Sequence, residues 1–348
     1  IGAYNSKESP YFSWYKFINW PDEYHSWWGI KLLPEVIEED EGYRNYICGE
    51  NGILKKWLRC GIAGYRLDVA DELPDIFLDD LRKSVKSENE NAIIIGEVWE
   101  DATNKFAYGQ RRKYLLGEEL DSVMNYPFAD AILNFVRYAN GNAFFNAVLS
   151  IIENYPPQVL NVLMNHIGTH DTERAITRLA GENPDGHDRA WQFEHNTLSE
   201  FDYLKGVSMM KIASLIQFTL PGVPSIYYGD EIGMQGMKDP FNRGCMPWNK
   251  PNEELLKWYK RLGQIRHSSK AFIDGDFEKL YCDGGVIAYS RNSEGDNILV
   301  AINNSNEQKR IFVGTQWDNS YSLFDEKSVD GFVNLPPYRY TLLSKKEY

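Results

Sequence analysis

Five apolar, β-branched runs separated by longer amphipathic stretches occupy residues 46–268, and this alternation restricts the fold more than any other feature. Strand-sized runs followed by helix-sized segments mark βα units, which lay helices against a parallel sheet. Residues 54–59 read as a helix and 63–69 as the first strand. Residues 75–87 ("DIFLDDLRKSVKS") repeat apolar side chains at helical spacing, and "AIIIGEVW" from Ala92 is a continuous run of buried-strand type. "LDSVMNY" from Leu120 is a third strand, followed by helices over 129–138 and 143–154. "NVLMNHIGTHD" from Asn161 is a fourth, and an apolar helix over 205–220 leads to a fifth, "GVPSIYYGDE". A last helix covers about 252–267.

After Ala271 the pattern changes to short alternating strands with hairpin turns, "VIAYSRN", "ILVAINN", "RIFVG" and "YRYTLLS". We expect three zones. Residues 1–45, rich in Trp, Tyr and Pro, form an aromatic loop excursion, 46–270 an α/β domain, and 271–348 an antiparallel β-sandwich.

With 348 residues, 43% of them hydrophobic, the chain can bury a large core. Its net charge of -13 argues against nucleic acid and anionic membranes as partners. The 10 Trp, 22 Tyr and 17 Phe suit stacking on sugar faces, although core packing is the expectation for most of them. Cys48, Cys60, Cys245 and Cys282 lack metal-site spacing and are read as free thiols. No apolar run reaches the roughly 18 residues of a membrane span. "IGAYNSKESP" has no leader pattern, and Ile1 in place of an initiator Met implies sequence upstream. A cytoplasmic location is expected, with secretion the alternative.

Four of the five strand runs end in polar residues: Arg66 with Asp68, Glu97, Asn125, and His170 with Asp171. At the C-terminal mouth of a parallel α/β barrel such residues converge. Three crowded carboxylates, Asp68, Glu97 and Asp171, repel one another and need a chemical reason to coexist. Retaining glycoside hydrolysis is one: a carboxylate attacks the anomeric carbon while a second, about 5 to 5.5 Å away, protonates the leaving oxygen. A third can stabilise the charge on the ring. Arg66, two residues from Asp68 on the same strand face, would hold that carboxylate ionised and oriented.

The blocks "GYRLDVADE", "IIIGEVWE", "IGTHDTER" and "GVPSIYYGDEIGMQG" resemble, in order, those at the fourth, fifth, seventh and eighth strands of the α-amylase family of retaining glycoside hydrolases. The resemblance implies a partial (β/α)8 barrel, strands four to eight, with a C-terminal β-sandwich. It implies Asp68 as nucleophile, Glu97 as general acid/base and Asp171 as transition-state stabiliser. Arg66 would orient Asp68, and His170 would hydrogen-bond the sugar at the cleaved position. "DPFNR" points to Asp239 and Arg243 on the non-reducing side, and Trp99, Tyr126 and Glu72 match cleft positions. His166 is expected to be a satisfied packing or cleft-lining histidine, and Asp230 and Glu231 to be structural.

"VADE" and "DSVMNYPF" are similar to the neopullulanase and cyclomaltodextrinase side, whose members accept α-1,4 and α-1,6 linkages. The block "LLPEV" departs from the family, because Val36 is followed by Ile37 where a terminal Asn is usual. No third-strand block is found. Residues 1–45 therefore resemble a remnant of the loop domain after strand three. Five strands cannot close a barrel. The missing part would be a separate chain, or sequence outside these residues, and the isolated chain is expected to hydrolyse starch negligibly. The expected substrate is a starch-derived glucan or maltooligosaccharide. A transglycosylase with the same carboxylates, or a non-catalytic glucan-binding relative, is the alternative. No cofactor is assigned, and calcium bound through family loops is the one metal the resemblance brings in.

Overall fold

The computed structural model describes residues 2–324 and 328–346, so Ile1 and Tyr348, the two ends of the sequence reading, lie outside the described residues. The chain divides into two compact units, residues 1–123 and 124–348.

In the first unit, strands Gly64–Leu67, Ile93–Gly96 and Ser122–Val123 form a parallel sheet in that order. Gly64 pairs with Ile93 and Leu67 with Gly96, so the first two strands end level with one another. The approach at Gly64 is close: a Cβ there would meet the Ile93 carbonyl oxygen at 2.0 Å, and its φ of +156° is open to glycine alone. Helix Asp75–Glu88 joins these two strands and buries Phe77, Leu78, Leu81 and Val85 on one face, at the helical spacing expected from the sequence. Among described residues 2–45, only Ala3 and Ser9 are buried. Their aromatic rings pack mainly on one another, with Trp14 against Tyr11, Tyr43 and Tyr46.

In the second unit, Asn125 caps helix Tyr126–Tyr138 by accepting from the Phe128 amide. Met164–Asn165 pairs in parallel with Val223–Pro224, and Met124 bridges to Met164 in the same sense. These strands are far shorter than the apolar runs that announced them. The residues around them are apolar because helices cover them, and burial without ladder pairing leaves the same sequence trace. Helix Glu200–Thr219 starts before the expected Lys205, because Ser199 caps it through the Asp202 amide ahead of the apolar stretch.

The rest of the second unit is antiparallel. Strands Asp276–Asp283, Val286–Ser293, Asp296–Asn303, Arg339–Ser344, Ser320–Ser322 and Ser328–Val329 form one sheet in that order, and Lys309–Phe312 pairs with Phe332–Leu335 in another. Val286, Ala288, Leu299, Ala301 and Leu343 of the larger sheet share a core with Ile311, Val333 and Leu335 of the smaller. A short helix, Ala271–Asp274, precedes them in a stretch read as wholly β. Strand Asp276–Asp283 was not evident in the sequence because it lies at the sheet edge with no fully buried residue, so its apolar alternation is weak.

Candidate active site

In the first unit the candidate side chains stand where the first two parallel strands stop. Arg66 is the third residue of its strand, Asp68 lies just beyond the strand end, and Glu97 is the first residue after the neighbouring strand. The backbone carries the pairing one step further, since the Glu97 amide donates to the Leu67 carbonyl at 3.0 Å. Arg66 Nη1 donates to Asp68 Oδ1, while Nη2 lies 3.0 Å from Glu97 Oε2. One guanidinium therefore serves both carboxylates, whereas the sequence reading gave it to Asp68 alone. The planar fork of arginine sets a separate nitrogen on each carboxylate, a fixed geometry that a lysine point charge does not impose.

Glu97 is 5% exposed, and its other contacts compensate its burial. Oε2 also accepts the Val69 amide at 2.8 Å, and Oε1 accepts Trp99 Nε1 at 3.1 Å. Asp68 has 75% of its side chain exposed, which leaves it open to an incoming electrophile. Between them Val69 takes φ +39°, ψ +56°, a left-handed conformation costly for a β-branched residue. Glu72, on the following turn, accepts from the Tyr108 hydroxyl, whose pKa this contact and partial burial push up to about 12.

In the second unit, His170, Asp171, Arg243 and Asp239 are brought together. His170 Nε2 is 3.1 Å from Asp171 Oδ2, and Arg243 Nη2 donates to Asp171 Oδ1 at 3.2 Å. Arg243 Nε also donates to the His170 carbonyl at 2.9 Å and lies 3.5 Å from Asp239 Oδ1. The same guanidinium thus touches Asp171, which the sequence did not suggest. Tyr126 is buried on the first turn of its helix, edge-on to His166 with ring centroids 4.5 Å apart.

His166 is a packing residue, yet it is not satisfied as expected: among the described residues neither ring nitrogen has a hydrogen-bond partner. Burial, aided by Arg178, lowers its pKa to about 3, so the ring is neutral. Asp230 is also buried, 3.8 Å from Arg174 and pressed against Gly168, where a Cβ would stand 2.6 Å from Oδ2. Desolvation raises its carboxyl to about 7 in spite of Arg174. Glu231 accepts the Gly229 amide at 2.8 Å. Among the described residues no group of three His, Cys, Asp or Glu side chains is placed to hold a metal ion. The four cysteines are free, and no helix among the described residues is long and apolar enough to cross a membrane.

The model of the alpha amylase catalytic domain matches residues 6–321. The chain belongs to the alpha-amylase family.

Within that family, the chain is 33% identical over 321 residues to a cyclomaltodextrinase of Thermoanaerobacter pseudethanolicus, covering 89% of this chain and 50% of the relative. It is 32% identical over 358 residues to an amylopullulanase of Thermoanaerobacter thermohydrosulfuricus, covering 90% and 23%. The solved debranching enzyme of Nostoc punctiforme superposes with a TM-score of 0.80 at 25% identity, covering 99% of this chain and 72% of that one. The chain thus spans half or less of the length of these two curated relatives. Its fold is similar to that of TIM-barrel glycosidases, and its relatives are of the cyclomaltodextrinase and neopullulanase type.

Two buried polar residues of this chain escaped the sequence reading. Arg174, in "THDTER", is fully buried against the rings of Tyr227 and Tyr228, at 4.1 and 4.4 Å from their centroids. Asn242, in "DPFNR", is fully buried and donates to two backbone carbonyls. The aromatic pair "YY" was a usable sign for the first; nothing in the sequence marks the second.

Proposed function

We propose that this chain carries the catalytic groups of a retaining hydrolase of α-glucosidic bonds in starch-derived glucans or maltooligosaccharides. The observation that carries the reading is the single Arg66 guanidinium holding both Asp68 and Glu97 at adjacent strand ends. That arrangement suits two carboxylates acting on one glycosidic bond. An Asp68 oxygen attacks the anomeric carbon as the C–O bond to the leaving sugar breaks, and Glu97 gives its proton to the departing oxygen. Water then attacks the glycosyl-enzyme, Glu97 takes its proton, and the Asp68 carboxylate is released. Asp171 offsets the positive charge on the ring in both steps, with His170, Arg243, Asp239, Trp99, Glu72 and Tyr126 serving the sugars on either side.

In this reading the parallel strands correspond to strands four to eight of a (β/α)8 barrel over residues 46–270. The two antiparallel sheets of 271–348 are a β-sandwich, and 1–45 belong to the loop domain after strand three. The relatives' names support α-1,4 and α-1,6 linkages as substrates, and the free thiols support a cytoplasmic location.

The test is turnover of maltotriose by the full gene product, followed by NMR at the anomeric proton. First-formed products should keep the α configuration, and Asp68→Asn should abolish turnover. Inverted products, or an active Asp68→Asn protein, would sink the reading. Oligomers longer than maltotriose would assign the protein to transglycosylation by the same carboxylates.

A further inference from the structure

Asn242 is fully buried in the second unit, on a turn that begins after Pro240. Its Nδ2 donates to the carbonyl of His170 at 2.7 Å and to the carbonyl of Thr172 at 2.7 Å. These are the residues immediately before and after Asp171. One amide group therefore brackets that carboxylate residue, satisfying two carbonyls that belong to no helix or strand. The next residue, Arg243, donates to the same His170 carbonyl and to Asp171 itself.

We propose that Asn242 is a positioning residue for Asp171, fixing the backbone on both sides so that its carboxylate keeps one direction. The inference rests on the role given to Asp171 above. The residue type follows from the chemistry of the site. Two acceptors converge on one buried point, and a primary amide supplies two N–H donors there without a charge. Aspartate would present acceptors to acceptors, and leucine would take the Asn242 donor from the Thr172 carbonyl and leave the His170 carbonyl to Arg243 alone. Asn242 touches neither substrate nor reacting atoms in this arrangement, so its effect passes through Asp171.

A double-mutant cycle in the full gene product tests this. In the wild-type background Asn242→Leu should lower kcat for maltooligosaccharides by about 10- to 100-fold with little change in KM, as expected for a catalytic group displaced by a fraction of an ångström to about 1 Å. In the Asp171→Asn background the same substitution should cost less than about 3-fold, because the group it positions is already lost. Equal losses in both backgrounds, or no loss in the first, would overturn the proposal. Hydrogen exchange gives a readout independent of turnover: amides of 169–174 should exchange faster in Asn242→Leu than in wild type, and unchanged protection there would also overturn it. If Asp171→Asn alone leaves turnover intact, the role assigned to Asp171 fails instead, and exchange still reports whether Asn242 holds the segment.

Discussion

Arg66 Nη2 lies 3.0 Å from Glu97 Oε2, so a guanidinium that the sequence assigned to one carboxylate ties two strand ends together. Replacing it with lysine keeps the charge and removes the fork. Arg66→Lys in the full gene product should retain binding of maltooligosaccharides and lose roughly 100-fold in kcat, through misplacement of Asp68 or Glu97. Steady-state kinetics checks this, and a variant within about 3-fold of wild type would show that the shared hold is dispensable.

Val69 places its amide on Glu97 at the expense of a left-handed backbone. Val69→Gly should relieve that strain and raise stability by about 1 kcal/mol, measured by denaturant unfolding. The same change frees the peptide after Asp68, and kcat should fall while stability rises. A glycine variant no more stable than wild type would contradict the strain.

Two buried groups make opposite demands on pH. The His166 pKa is lowered from 6.5 to about 3, so the unfolded chain takes up a proton that the native ring refuses, and stability falls as pH drops from about 6.5 towards 3. The Asp230 pKa is raised from 3.8 to about 7, so the native carboxyl keeps a proton that the unfolded chain releases, and stability falls as pH rises from about 4 through 7. His166→Leu should flatten the acid side of the stability profile, and Asp230→Asn should flatten the neutral side. Thermal midpoints between pH 4 and 8 check both. Identical profiles for wild type and either variant would refute that assignment.

The candidate carboxylates drew notice in the sequence because each stands at the end of an apolar run, where polarity changes abruptly. The sequence revealed the helices because apolar spacing survives in Asp75–Glu88 and Glu253–Ser268. It overstated the strands at Met164 and Val223, where burial extends beyond the ladder. Arg174 and Asn242 stayed hidden for a different reason. Their partners are two rings and two carbonyls, and a lone Arg or Asn in a loop reads as solvent-facing however deep it lies. The division into compact units after Val123 falls inside one strand-like run, where the sequence shows no change of pattern.

The buried Arg291 of the antiparallel sheet has a consequence for anyone wishing to exchange that part of the protein. Its guanidinium donates to the Thr219 carbonyl at 2.9 Å and to the Gly275 carbonyl at 2.8 Å, and Tyr289 meets the Thr219 hydroxyl at 2.6 Å. Asn304 reaches the Phe135 and Val136 carbonyls in the same way. The bonds to the Thr219, Phe135 and Val136 carbonyls cap the C-terminal ends of two helices with side chains from the antiparallel part. The sheet is therefore no interchangeable cassette: a chimera grafted at Ala271 inherits open helix ends unless its new partner supplies donors at the same three places.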